Sequence, residues 1–101
     1  MNLLAKELKL EQTYQNSSGL SANPNLSTTQ AITLLTSLAL KNETFQKIIN
    51  TKEYELQIKN ERFGLTRKMV WKNTNKLLWK GWTGVKTGTT ETAGHCLMSK
   101  K

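Results

Sequence analysis

The sequence predicts an α+β chain in which helices come first and antiparallel strands follow. Three observations carry that prediction. Apolar residues recur at helical spacing up to about residue 50. From Thr51 the apolar period switches to two, which is the period of a strand. Clusters of Asn, Ser, Gly and Pro separate the periodic runs, and such residues form turns.

Residues 1–10 read as a helix or the end of one, with Leu4 and Leu8 one turn apart and Leu3 beside them. Gln12 to Asn25 reads as a loop, rich in turn formers from Asn16 to Pro24. Ser27 and Gln30 have the spacing of a capping box, with Ser27 as N-cap. The helix that follows runs to about Lys41, and Ile32, Leu35 and Ala39 line its apolar stripe next to Leu34 and Leu38. Asn42 is placed to cap a short helix carrying Phe45, Ile48 and Ile49.

In the second half, Tyr54, Leu56 and Ile58 alternate with polar neighbours over Thr51–Lys59, the pattern of a half-buried antiparallel strand. Asn60 to Thr66 forms the turn into a second strand, Arg67–Lys72. Asn73-Thr74-Asn75 predicts a turn closed by side-chain caps before Leu77 and Leu78. Two further strands are expected at Gly84–Thr89 and Gly94–Ser99. The helical part thus covers about 1–50 and the sheet part about 51–101.

With 101 residues the chain has room for one small domain at most. Its net charge of +8 comes from 13 Lys and 2 Arg against 7 Glu, spread along the chain, and reads as a solvated basic surface rather than a nucleic-acid site. There is no Asp, so a Ser-His-Asp triad cannot be assembled. The single Cys96 and single His95 provide neither a disulfide nor the ligand number of a metal site, and no cofactor is implied. His95 is expected on a strand surface and Cys96 in the core. No apolar run has the length of a membrane span, and the first residues lack the pattern of a signal peptide.

The chemistry concentrates near the end, at Lys86-Thr87-Gly88. A lysine supplies charge and a threonine hydroxyl supplies direction, a combination suited to a carboxylate. Glycine admits a ligand backbone without a Cβ clash. The wider frame G-x-K-T-G-x-T-x-x-A-G-x-C-L, from Gly84 to Leu97, resembles the Lys-Thr-Gly strand of the serine-type D-alanyl-D-alanine carboxypeptidases, relatives of the penicillin-binding proteins and serine β-lactamases. Trp71-Lys72-Asn73-Thr74-Asn75-Lys76-Leu77-Leu78 resembles the family's W-x-N-T-N-x-L-L segment. Asn16, Gly19-Leu20 and Ala39-Leu40-Lys41-Asn42 also resemble family positions in the right order. Most of these are caps, turns and core.

The resemblance covers nearly all 101 residues and corresponds to the C-terminal part of the family's catalytic domain. It implies a partial β-lactamase/transpeptidase-like fold. It further implies that Lys86, Thr87 and Gly88 belong to the catalytic machinery, that Thr89 and Thr90 bind substrate, and that the Thr89 N–H is an oxyanion donor. The partner would be a peptide ending in D-Ala-D-Ala, or a β-lactam, in an extracytoplasmic or cell-envelope setting.

The family's nucleophile, the Ser of Ser-x-x-Lys, has no counterpart here. Thr44-Phe45-Gln46-Lys47 and Ser21-Ala22-Asn23 match two of the family's spacings but lie in the wrong places. Two other readings therefore stand beside the carboxypeptidase: an inactive peptide- or penicillin-binding module, and a β-lactamase-like relative.

Overall fold

A computed structural model describes all residues from Met1 to Lys101. Three helices come first: α1 (Asn2–Glu7), α2 (Thr29–Ala39) and α3 (Glu43–Ile49). Four strands follow, β1 (Glu53–Asn60), β2 (Leu65–Lys72), β3 (Thr83–Thr90) and β4 (Gly94–Lys100), with a 3-10 helix at Lys76–Lys80 between β2 and β3. The predicted α+β order therefore holds; β2, β3 and β4 are longer than expected by one or two residues, whereas β1 begins two residues later and ends one later.

The strands form two separate antiparallel ladders, β1–β2 and β3–β4, rather than one continuous sheet. Each is a hairpin closed by local chemistry. In the first, the Asn60 side chain accepts from the Arg62 N–H at 3.0 Å and Gly64 takes a positive φ of 64°. In the second, Gly94 at φ 70° closes the turn from Thr90, a conformation that costs glycine little.

Side-chain caps fix most helix starts. Asn42 Oδ1 accepts from the Phe45 N–H at 2.9 Å and opens α3 as the sequence indicates. At α2 the cap is one residue later than the capping box suggests. Thr28 Oγ1 accepts from the Ala31 N–H at 3.1 Å, while Ser27 donates instead to Gln12 Oε1 at 3.1 Å. Ser27 is thereby drawn out of the capping role by the preceding loop. That loop is tied to α1 by Asn2, whose side chain donates to the Tyr14 carbonyl (2.8 Å) and accepts from the Tyr14 N–H (2.7 Å). Half-buried Tyr14 donates to Gln12 Oε1 at 2.6 Å, and loss of water around its hydroxyl raises its pKa above the ordinary value.

The core is small and sits where α3, the 3-10 helix and β3 meet. Ile49, Leu78, Gly84 and Asn75 are buried there, with Ala5 and Ala31 buried further up the chain. Two expectations fail on burial. Leu3 and Leu4 are exposed, because the covered side of α1 is the one that carries Ala5. The β1–β2 hairpin is not half-buried: every β1 residue is exposed, and only Met69 of β2 is partly covered. Alternation set the strand period correctly, but no second layer covers the face it marks.

Candidate functional site

The site is built from the turn before the 3-10 helix and from β3. Asn73 anchors that turn on one side: its backbone N–H donates to the Lys52 carbonyl at 2.8 Å and its side-chain amide to the Thr51 carbonyl at 3.0 Å. Its Oδ1 accepts from the Asn75 N–H at 2.9 Å. Asn75, buried, anchors the other side. Its Oδ1 caps the 3-10 helix by accepting from the Leu77 N–H (3.1 Å), and its Nδ2 donates to the Gly84 carbonyl (2.9 Å). Thr74 is thus held between two fixed asparagines, and its hydroxyl lies 2.6 Å from that of Thr87.

The start of β3 is fixed just as firmly. The Gly84 N–H donates to Asn50 Oδ1 at 3.1 Å, and the Ser99 hydroxyl of β4 donates to the Gly84 carbonyl at 2.8 Å. Ile49 lies so close above Gly84 that a Cβ there would stand 2.7 Å from the isoleucine Cβ. Glycine is required at this point for close approach of α3 to the strand. A register irregularity between Thr83 and Val85 follows, and from Lys86 to Thr90 the pairing with β4 is regular.

A cleft of about 410 Å³ opens beside the regular stretch, lined by Thr74, Thr87, Gly88, Thr89 and Cys96. Its walls offer hydroxyls, a thiol and a glycine with nothing within 4 Å of where a Cβ would stand. No acidic side chain lines it, so an anionic group meets no like charge. β3 pairs with β4 on one side only, which leaves its other edge open to an extended ligand. Three of the five residues singled out from sequence, Thr87, Gly88 and Thr89, line this cleft.

Lys86 and Thr90 do not. Lys86 is exposed on the same strand, with its ammonium donating to the Thr87 carbonyl. The Thr90 hydroxyl is engaged with Ser21 Oγ at 2.7 Å and accepts from the Ala93 N–H at 3.1 Å. Thr92 donates to the same Ser21 oxygen at 2.8 Å, so the loop after α1 is fastened to the β3–β4 turn. Ser21 is thus held on that turn.

His95 is exposed, as expected, and its Nδ1 lies 3.0 Å from Thr89 Oγ1 across the ladder. Cys96 is exposed rather than in the core: it pairs with Gly88, has no side chain opposite, and borders the cleft, with its thiol 3.6 Å from the Ala93 carbonyl. Sequence reasoning passed over Thr74 as a turn residue and Cys96 as core. The Asn-Thr-Asn pattern was the available signal for Thr74, since two capping side chains leave the central one free to point outward. Nowhere do three His, Cys, Asp or Glu side chains converge as a metal site needs.

Known proteins share the sequence and the fold of this chain. The sequence profile of the D-alanyl-D-alanine carboxypeptidase family matches residues 1–101. A D-alanyl-D-alanine carboxypeptidase of Streptomyces sp. (strain K15) is 37% identical over 101 residues, which is 97% of this chain and 35% of that enzyme. The crystal structure of the Streptomyces K15 DD-transpeptidase superposes with a TM-score of 0.84 at 38% identity, covering 97% of this chain and 38% of that one. An alanine variant of the same enzyme gives a TM-score of 0.87 at 36% identity, covering 97% and 39%. The chain spans little more than a third of the length of these relatives. Over that span both sequence and fold agree, and the chain belongs to the D-alanyl-D-alanine carboxypeptidase family.

Proposed function

We propose that this chain supplies the substrate-holding strand of a serine-type D-Ala-D-Ala carboxypeptidase. The observation that carries the reading is the open edge of β3 beside a hydroxyl-lined, acid-free cleft, with Lys86-Thr87-Gly88 on that strand. A peptide ending in D-Ala-D-Ala would lie along β3, with its terminal carboxylate taken by the Thr87 hydroxyl and by the Lys86 ammonium once that leaves the Thr87 carbonyl. Gly88 would let the reacting carbonyl come close, and the Thr89 N–H would stabilise the oxyanion. Thr90 would act at one remove, by holding the turn that ends the strand. A β-lactam offers the same carboxylate next to a reactive carbonyl and fits the same strand. The setting in which such a peptide occurs is extracytoplasmic, at the cell envelope.

Chemistry needs a nucleophile, and the 101 residues contain no Ser-x-x-Lys. Ser21 is fastened to the β3–β4 turn, and Thr44 lies on α3 outside the β3 cleft. By itself the chain therefore binds without turning over. The test is to incubate the purified chain with a fluorescent penicillin and measure its intact mass. An unchanged mass is expected. A stoichiometric adduct would overturn the reading and place a nucleophile at Ser21, Thr44 or Cys96.

A further inference from the structure

A second concavity, of about 550 Å³, lies between α3 and the β1–β2 hairpin. Thr44, Lys47 and Ile48 from α3 and Tyr54, Trp71 and Lys72 from the hairpin line it. Tyr54 and Trp71 are register partners across the ladder, stacked with ring centroids 6.4 Å apart and planes 24° from parallel. They are 57% and 45% exposed, on a hairpin that covers no core. A stacked pair of aromatic faces left in water offers a flat apolar platform of the kind that takes a ring of a ligand. Ile48, 65% exposed, extends the same surface from the helix side.

The platform has a charged and polar border. Lys47 forms no ion pair, whereas Lys72 is paired with Glu53 at 3.4 Å and Lys68, next along the ladder, with Glu55 at 2.9 Å. Of the two cations that line the groove, Lys72 is thus offset by Glu53 and Lys47 is the one without an ion pair. The Thr44 hydroxyl beside it makes no hydrogen bond within the protein. A nucleic acid carries a charge at every nucleotide and is held by several unpaired cations. The lining of this groove offers one. Stacked rings, one free cation and a hydroxyl suit instead a ligand rich in ring faces and hydroxyls and sparse in charge.

We propose that this groove binds an acidic polysaccharide, with sugar faces on Tyr54 and Trp71 and a carboxylate at Lys47. The inference does not rest on the reading of β3. The two sites are nonetheless adjacent, since Asn73 lines the groove and Thr74 lines the β3 cleft.

The test is calorimetric titration of the 101-residue chain, in dilute solution below its melting transition, with hyaluronan oligosaccharides, which carry a carboxylate on every second sugar. Saturable binding is expected, weaker for neutral dextran and for oligo(dT) of equal length. Trp71→Ala should weaken it about tenfold or more, the loss typical of one stacked ring. Trp71→Phe, which keeps a ring, should retain most of the affinity and guards against a folding artefact. Lys47→Ala should bring hyaluronan down to the level of dextran, and Trp79→Ala, outside the groove, should change nothing. Absence of saturable hyaluronan binding, indifference to Trp71→Ala, or tighter binding of oligo(dT) would each overturn the proposal.

Discussion

Thr87 illustrates how single residues set this site. Its hydroxyl already has a partner, Thr74 at 2.6 Å, so its direction is fixed before any ligand arrives. Gly84, three positions earlier, does the opposite job: it removes a side chain so that α3 can sit on the strand. A Cβ at Gly84 would come within 2.8 Å of Ile49 Cγ1 and Cδ1 as well as 2.7 Å of its Cβ, and the branched Cβ cannot swing away. Gly84→Ala should therefore destabilise the fold by about 1–3 kcal/mol, the usual range for overfilling a close-packed contact. The comparison is best made by chemical denaturation in a chimera in which these residues replace the matching stretch of the 37% identical Streptomyces K15 enzyme. A midpoint equal to the parent's would mean that α3 does not rest on Gly84.

Between elements, Asn75 does the joining. It caps the 3-10 helix and holds the Gly84 carbonyl of β3, and it is buried while doing so. Asn75→Ala should cost about 1–3 kcal/mol, from the lost cap and the unmade hydrogen bond together. Ser99→Ala should cost less, because the Gly84 carbonyl keeps its bond from Asn75. Equal losses in the two variants, again by denaturant midpoint, would remove Asn75 from this role. The caps at Asn42 and Asn75 and the four strands were legible in sequence, because each depends on residues within a few positions. The α2 cap shifted by one, since Ser27 is claimed by Gln12 from fifteen residues away. The exposure of Tyr54, Leu56 and Ile58 and the bond from Ser21 to Thr90 across 69 positions were not legible, because periodicity carries no information on what covers a face or which loop meets which turn. At the site, Thr87, Gly88 and Thr89 followed from the motif, whereas Thr74 and Cys96 needed the fold to bring them alongside.

As a whole molecule the chain is open. Its accessible surface is 8609 Å², against about 5,800 Å² for a compact protein of this mass. Its radius of gyration is 16.7 Å, against about 13 Å for a compact domain of this length. Trp71 and Trp79 stand in water with many aliphatic side chains, and both ladders have free edges. Such surfaces favour association, and a core this small leaves little net stability. The isolated chain should therefore melt broadly and at low temperature, with a midpoint that depends on concentration. Circular dichroism at several concentrations checks this, and a sharp, concentration-independent transition from a monomer would contradict it. The central claim is that β3 holds the substrate carboxylate through Lys86. Lys86 is exposed and supports no core, so removing it should disturb chemistry rather than packing. The direct measurement is kcat/KM on a D-Ala-D-Ala peptide for the chimera and its Lys86→Ala variant, with the melting temperature of each. A loss in kcat/KM equivalent to about 2–4 kcal/mol at unchanged melting temperature is predicted. Activity near that of the parent chimera together with a lower melting temperature would make Lys86 a structural residue and contradict the assignment.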